Sequence, residues 1–352
     1  MMLPNTLSGL FEELFKLNKV KSSEKAVILL PQIHDQRYFE AASTALNNLG
    51  ADFYSVIIPH VSGKQKLDLP SSEFVYNSVG EADFILTLEQ SGYAPQSPAI
   101  FKFIYKSEKH RGKNEERYLE KSKSRCLSVT IPEPAMRRLW PTDNIINRCK
   151  SGAAFFDKGK EIRLTSEMGT DLTMSKKGMP GVYEAGVADS PGRWDNFGYA
   201  MVANEPIEGT ANGKLVIEAG DYLVTLGTFV SENITCEIKD GYLKEIKGGA
   251  SADYLRRYFE WYKDPEAYAL AHIGWGAHDG AIWSTRGGRF ADETFGYVID
   301  RYNYYGSIPI AFGWTLGKNT DAHIDINLLN HDLILDGEII CSKGKIIHPE
   351  CK

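Results

Sequence analysis

Hydrophobic positions recur at helical spacing from Leu7 to Phe15, and a short unbroken apolar run, Ala26-Val27-Ile28-Leu29-Leu30, follows. A run of that length without polar alternation predicts a strand buried on both faces, as in a parallel sheet. Asp35 then stands before a helix from Tyr38 to Leu49 that Gly50 ends. Residues 52–58 predict the next strand, stopped by Pro59, and residues 82–87 and 126–131 predict two more. Strand–helix–strand order of this kind predicts an open α/β sheet with helices on both faces. No GxGxxG follows the first strand, so a dinucleotide site is not expected.

After Pro132-Glu133-Pro134 and a helix expected near Met136 to Asn147, the texture changes. From Ala153 onward the polar/apolar alternation has period two, as in Ile162-Arg163-Leu164-Thr165 and Asp171-Leu172-Thr173-Met174. Residues 235–238 and 243–246 flank Lys239-Asp240-Gly241-Tyr242, whose Asp-Gly pair is a hairpin turn signal. One helix interrupts, with Tyr254, Leu255, Tyr258, Phe259 and Tyr262 on its expected apolar face. The fold class read from these patterns is an N-terminal open α/β domain over residues 1–150, then a mostly antiparallel β domain over 151–352.

Composition narrows the function classes. At 352 residues the chain is long enough for two domains, each with its own core. Hydrophobic content of 43% and charged content of 24% are those of an ordinary globular protein. A net charge of −6 argues against nucleic acid as a partner. The basic stretch at 102–125, nine Lys/Arg against four Glu, reads as a solvated helix or crossover loop rather than a ligand patch. No apolar run reaches the roughly 18 residues that a membrane span requires. Residues 1–19 are amphipathic and carry Glu12 and Glu13, unlike a signal peptide. Five scattered cysteines with no CxxC fit reduced thiols in a cytoplasmic protein.

The chemistry concentrates near the C-terminus. In an extended segment, positions i and i+2 share a face, so His323 and Asp325 in His323-Ile-Asp325-Ile are neighbours. His272 lies in Ala271-His-Ile-Gly-Trp-Gly276, where glycines allow close backbone approach. Two imidazoles and one carboxylate form the facial triad of non-haem Fe(II) oxygenases. The alternative from spacing alone is an edge-strand His-x-Asp pair and a hydrogen-bonded core histidine. His278 reads as a surface-loop residue and His331 as turn chemistry between strands. His34, His60, His110 and His348 have no partner visible in the sequence.

Together, residues 186–195 (Gly-Val-Ala-Asp-Ser-Pro-Gly-Arg-Trp-Asp), His272-Ile-Gly-Trp-Gly and His323-Ile-Asp325-Ile resemble the 2,5-dihydroxypyridine 5,6-dioxygenase family. That family is a dioxygenase branch built on the fold of the aminopeptidase T metallopeptidases. The resemblance implies Fe(II)-dependent ring opening of a dihydroxylated pyridine by O2, with His272, His323 and Asp325 as iron ligands. It also implies a small-molecule hydroxylated aromatic substrate and a homo-oligomer, with a hexamer as the form it suggests. Glu184 matches an active-site glutamate that accepts a substrate proton or orients a ring hydroxyl. Asn196 and Tyr93 stand where the family has histidines near the substrate, which makes them candidate catalytic positions and puts the ring's identity in question. Arg193 and Trp194 fit either a ring anchor or a structural turn. Against the peptidases, Met201 and Pro309 stand at metal-ligand positions, and neither replaces a hard oxygen or imidazole ligand. A metal-dependent aminopeptidase is therefore the alternative function.

Overall fold

The computed structural model describes residues 3–32, 34–58, 79–88, 123–283, 299–315 and 320–352. Packing divides the chain into two units, Met1–Pro141 with Ala185–Tyr199, and Thr142–Glu184 with Ala200–Lys352. Among the described residues no helix is long and apolar enough to cross a membrane. All five cysteines are buried and free.

The first unit opens with α1 (Leu7–Leu17), β1 (Lys25–Pro31), α2 (Gln36–Leu49), β2 (Asp52–Ile58), β3 (Phe84–Leu88), β4 (Arg125–Val129) and α3 (Glu133–Arg138). Four strands pair in parallel in the order β2-β1-β3-β4. A fifth, Trp194–Asn196, joins beside β4; it comes late in the chain and is β8 in chain order. The unbroken apolar run predicted for β1 is buried from Ala26 to Leu30, as a central parallel strand requires. Asp35 caps α2 by accepting the Arg37 N–H, and Gly50 ends it with φ 74°. Helix α1 buries Leu10, Phe11, Leu14 and Phe15, with Phe15 edge-on to Phe84 of β3 at 6.0 Å. Of the basic stretch at 102–125, residues 102–122 lie outside the described residues. Its last member, Arg125, is buried and paired with Glu24 at 2.5 Å.

The second unit contains α4 (Asp143–Lys158), β5 (Glu161–Ser166), β6 (Asp171–Ser175), β7 (Val182–Glu184), β9 (Met201–Asn204), β10 (Asn212–Ile217), β11 (Tyr222–Leu223) and β12 (Thr228–Phe229). It continues with β13 (Ile234–Lys239), β14 (Tyr242–Lys247), α5 (Ala250–Tyr262), β15 (Leu270–Gly276), β16 (Ile308–Gly313) and β17 (His323–Leu328). The strands β18 (His331–Leu335), β19 (Glu338–Ser342) and β20 (Lys345–Ile346) complete it. They form an eight-stranded sheet, β14-β13-β10-β6-β5-β18-β19-β20, and a seven-stranded sheet, β12-β11-β17-β16-β15-β9-β7. The pairings in both are antiparallel, as the period-two pattern predicts. The Asp-Gly turn between β13 and β14 has φ 52° at Asp240 and φ 79° at Gly241, the left-handed pair of a tight hairpin.

Several expectations change. The helix expected over 136–147 is two helices, because Pro141 has no N–H to continue the first and Thr142 caps the second. A single cut at residue 150 would divide α4, whose buried face belongs with the second unit: Phe156 lies edge-on to Trp275 at 5.1 Å. The segment Ala185–Tyr199 also returns to the first unit. Tyr254 is 61% exposed, so the buried stripe of α5 is narrower than expected, carried by Leu255 and Phe259. His278 is buried rather than on a surface loop, and His331 is the buried first residue of β18, bonded to Thr170 Oγ1, rather than a turn residue.

Candidate metal centre

The three central strands of the seven-stranded sheet decide what meets above it. In β17 the alternation puts His323, Asp325 and Asn327 on one face and Ile324, Ile326 and Leu328 on the other. β16 pairs with it in even register, Gly313 with His323, Ala311 with Asp325 and Pro309 with Asn327. β15 then sets His272 opposite the same Ala311. His272, Ala311 and Asp325 thus form one row across three strands. Their outer members start about 10 Å apart at the backbone, two strand spacings. The methyl of Ala311 leaves the space over which imidazole and carboxylate converge. An irregularity in register between Leu270 and His272 bends β15 just before the histidine.

The convergence is tight. One donor atom from each of His272, His323 and Asp325 lies within 4.8 Å of the others. His272 Nε2 is 3.2 Å from Asp325 Oδ1, and His323 Nε2 is 3.4 Å from Asp325 Oδ2. His323 Nδ1 lies 2.9 Å from the Trp314 carbonyl oxygen, which fixes the proton on Nδ1 and leaves the Nε2 lone pair directed at the cluster. The ligand strand is also pinned at its edge. The His323 N–H donates to Tyr258 Oη at 2.9 Å. Thr225 Oγ1 donates to the His323 carbonyl at 3.2 Å and accepts the Asp325 N–H at 3.3 Å. Just past the β11 pairing, the Val224 N–H donates to the Asp325 carbonyl at 2.9 Å, and the two hydroxyls add to that backbone contact.

Burial pushes the Asp325 carboxyl pKa up, but the two imidazoles, His323 foremost, outweigh it and hold it well below the usual carboxylate range. Burial acts to lower His323, and the Asp325 charge together with the contacts to Asp325 and the Trp314 carbonyl outweighs that, so the imidazole pKa is raised. Within the cluster two buried atoms, His272 Nδ1 and Asp325 Oδ1, have no hydrogen-bond partner among the described residues. The 3.2 Å approach of His272 to Oδ1 lacks the alignment of a hydrogen bond. Two imidazole nitrogens and a carboxylate oxygen, gathered with their own hydrogen bonding incomplete, fit a divalent transition metal with open positions.

The other expected site residues are placed differently. Glu184, the last residue of β7, is on the same face as the cluster but pairs with Met201, which pairs in turn with Gly276, four residues along β15 from His272. Asn196 is buried in β8 of the first unit. Tyr93 lies outside the described residues. Arg193 takes the structural-turn alternative: its guanidinium donates to the Val187 carbonyl at 2.7 Å and to Asp195 at 2.6 Å. Trp194 donates its indole N–H to Ser128 Oγ at 3.2 Å. Sequence reading missed Ala311, Thr225 and Tyr258, which carry no motif. It also passed over Asn327, although His323-x-Asp325-x-Asn327 continues the polar alternation.

A parallel α/β unit and an antiparallel unit, the second gathering two histidines and an aspartate that could hold a metal ion, define a mixed α/β architecture. The chain belongs to the 2,5-dihydroxypyridine 5,6-dioxygenase (NicX) family, whose model matches residues 6–348. It is 28% identical to the 2,5-dihydroxypyridine 5,6-dioxygenase of Pseudomonas putida KT2440, over 98% of this chain and 97% of that protein. The solved structure of the 2,5-dihydroxypyridine dioxygenase from that organism superposes with a TM-score of 0.86 at 27% identity, covering 98% of each chain. Wild-type AmpT from Thermus thermophilus superposes with a TM-score of 0.66 at 14% identity, covering 97% of this chain and 99% of that one. The second likeness shows the fold alone.

Proposed function

We propose that this protein is a mononuclear non-haem Fe(II) dioxygenase that opens a dihydroxylated pyridine, or a related hydroxylated aromatic ring, with O2. The observation that carries the reading is the row His272–Ala311–Asp325, with His323 beside it, in a chain of this family. His272, His323 and Asp325 hold the metal. When bound, Fe(II) supplies the one-electron chemistry that lets dioxygen react with a hydroxylated ring. The protein's own work is geometric and protonic. Thr225, Tyr258 and the Trp314 carbonyl fix the ligand strand and the His323 tautomer. Glu184 is the candidate to accept a ring-hydroxyl proton. Asn196 cannot titrate and a Tyr93 hydroxyl is a poor base near neutral pH, so the substrate preference is shifted from that of histidine-bearing relatives. The cytoplasm and a homo-oligomeric assembly complete the reading; buried free thiols fit a reducing compartment.

Anaerobic reconstitution with Fe(II), then O2 uptake across a panel of dihydroxypyridines and dihydroxybenzenes, tests the activity. Uptake with at least one ring, lost in Asp325→Asn, supports it; no uptake with any ring overturns it. A kcat/KM for 2,5-dihydroxypyridine that is already high in wild type and unchanged in Asn196→His/Tyr93→His would remove the shifted preference alone.

A further inference from the structure

Asn327 carries the same signature as the metal row, one row along the sheet. It is fully buried, and among the described residues neither its Oδ1 nor its Nδ2 has a hydrogen-bond partner. It lies on the face of β17 that carries His323 and Asp325, two residues beyond Asp325, a displacement of about 7 Å along the strand. Its neighbours in register are Pro309 on β16 and Tyr222 on β11. Pro309 has no hydrogen-bonding side-chain group. The Tyr222 ring lies under the Arg301 guanidinium at 4.1 Å, and its hydroxyl is hydrogen-bonded by that arginine. The sheet therefore gives the Asn327 carboxamide no mate, and a buried amide without one is a cost that an apolar side chain of equal size would avoid.

Resting on the dioxygenase reading, we propose that Asn327 positions the substrate ring by pairing its carboxamide N–H and C=O with a lactam edge. The chemistry is that of a cis-amide. A carboxamide offers a donor and an acceptor in one plane, the arrangement by which asparagine reads an adenine edge with two hydrogen bonds. A 2-hydroxypyridine in its 2-pyridone form offers the complement, a ring N–H beside a C=O. In 2,5-dihydroxypyridine the second hydroxyl is para to that oxygen, at the opposite end of the ring. Two para oxygens cannot both reach one metal. A ring held by its 5-hydroxyl at the His272–His323–Asp325 cluster needs a second anchor at its lactam end, and the Asp325-to-Asn327 spacing is that of a ring. Pro309 flanks the anchor without competing for its hydrogen bonds.

The test is anaerobic calorimetric binding of 2,5-dihydroxypyridine and of hydroquinone, which keeps the para hydroxyls but lacks the lactam edge. It uses iron-loaded wild type, Asn327→Leu and Asn327→Asp. Wild type is expected to prefer the pyridine by about ten- to a hundredfold, the effect of two added hydrogen bonds. Both variants are expected to lose that preference while keeping their iron and their affinity for hydroquinone. A merely structural residue would weaken both ligands alike, leaving the ratio unchanged, and that result overturns the proposal. If Asn327→Leu yields no folded protein, the same-sized Asn327→Asp carries the comparison. Wild type that binds both rings equally, or binds neither, overturns the proposal alone, whereas the dioxygenase reading falls only if no ring of the panel supports O2 uptake.

Discussion

Arg193-x-Asp195 and His323-x-Asp325 are the same spacing in sequence, and both put a buried carboxylate beside a side chain that can be cationic. Their surroundings differ. Asp195 is fully buried, takes the Arg193 guanidinium at 2.6 Å and accepts the N–H groups of Ala185, Gly186 and Asn196. Asp325 faces two imidazoles, yet its Oδ1 has no hydrogen-bond partner among the described residues. A carboxylate that the fold satisfies is holding the fold together. One that the fold gathers with other donors and leaves incomplete is waiting for something the chain does not supply. The comparison separates scaffold from site where residue type and spacing cannot.

The largest expected effect separates the two aspartates by function. Asp325→Asn keeps the shape of the side chain but removes its charge, and ring-opening turnover should fall by a factor of about 1,000 or more. Three ligands are the minimum set for the metal here. Its unfolding free energy in the metal-free protein should move less than that of Asp195→Asn. Asp195→Asn should do the reverse. It removes the charge that the Arg193 guanidinium and three backbone N–H groups share, costing about 3–5 kcal/mol in chemical denaturation, with iron affinity of the folded protein unchanged. If both aspartates changed both quantities alike, the distinction would be lost.

Smaller effects sharpen the picture of how the ligand strand is held. Thr225→Val removes the hydroxyl that bonds the backbone at both His323 and Asp325, and iron affinity should weaken about tenfold by competition with a chelator. Acidification should act through His323. Its pKa is raised in the metal-free protein, so iron must displace a proton there, and apparent affinity should fall about tenfold per pH unit below that pKa and level off above it. The sign for metal-free stability is the opposite: the raised His323 contributes fully below its ordinary pKa of about 6.5 and loses that contribution as pH rises through the raised value. Asp325, held low, keeps its contribution until pH falls through its depressed pKa. The smallest effect is an absence. With zinc, cobalt or manganese the protein should not hydrolyse leucyl or alanyl anilides, because Met201 and Pro309 share the face of the cluster and supply no ligand. Robust hydrolysis lost in His323→Ala would favour the aminopeptidase instead.

Much of this was legible in the residues. The apolar run of β1, the cap at Asp35, the Gly50 stop and the Asp-Gly hairpin follow from local chemistry and stand where the pattern puts them. The shared face of His323 and Asp325 follows from strand alternation. The arrival of His272 does not, because it depends on the register of β15 and β17 against a third strand, and pairing register is a tertiary property. Ala311 was invisible for the same reason: its role is to be small at the one position between two ligands. Arg193 and Trp194 stayed open between ring anchor and structural turn, because such residues beside glycine and proline look alike in sequence whether they bind a ligand or a turn. The return of Ala185–Tyr199 to the first unit is a non-local pairing of β8 with β4 that no local period announces.

The most direct measurement is iron content after anaerobic loading and desalting, by elemental analysis, in wild type and in His272→Ala, His323→Ala and Asp325→Ala. The account predicts about one iron per chain in wild type, as one such triad holds one metal, and near none in each variant, with the circular dichroism of the fold unchanged. Full iron occupancy in any of the three variants, or a folded wild type that retains no iron, would contradict it.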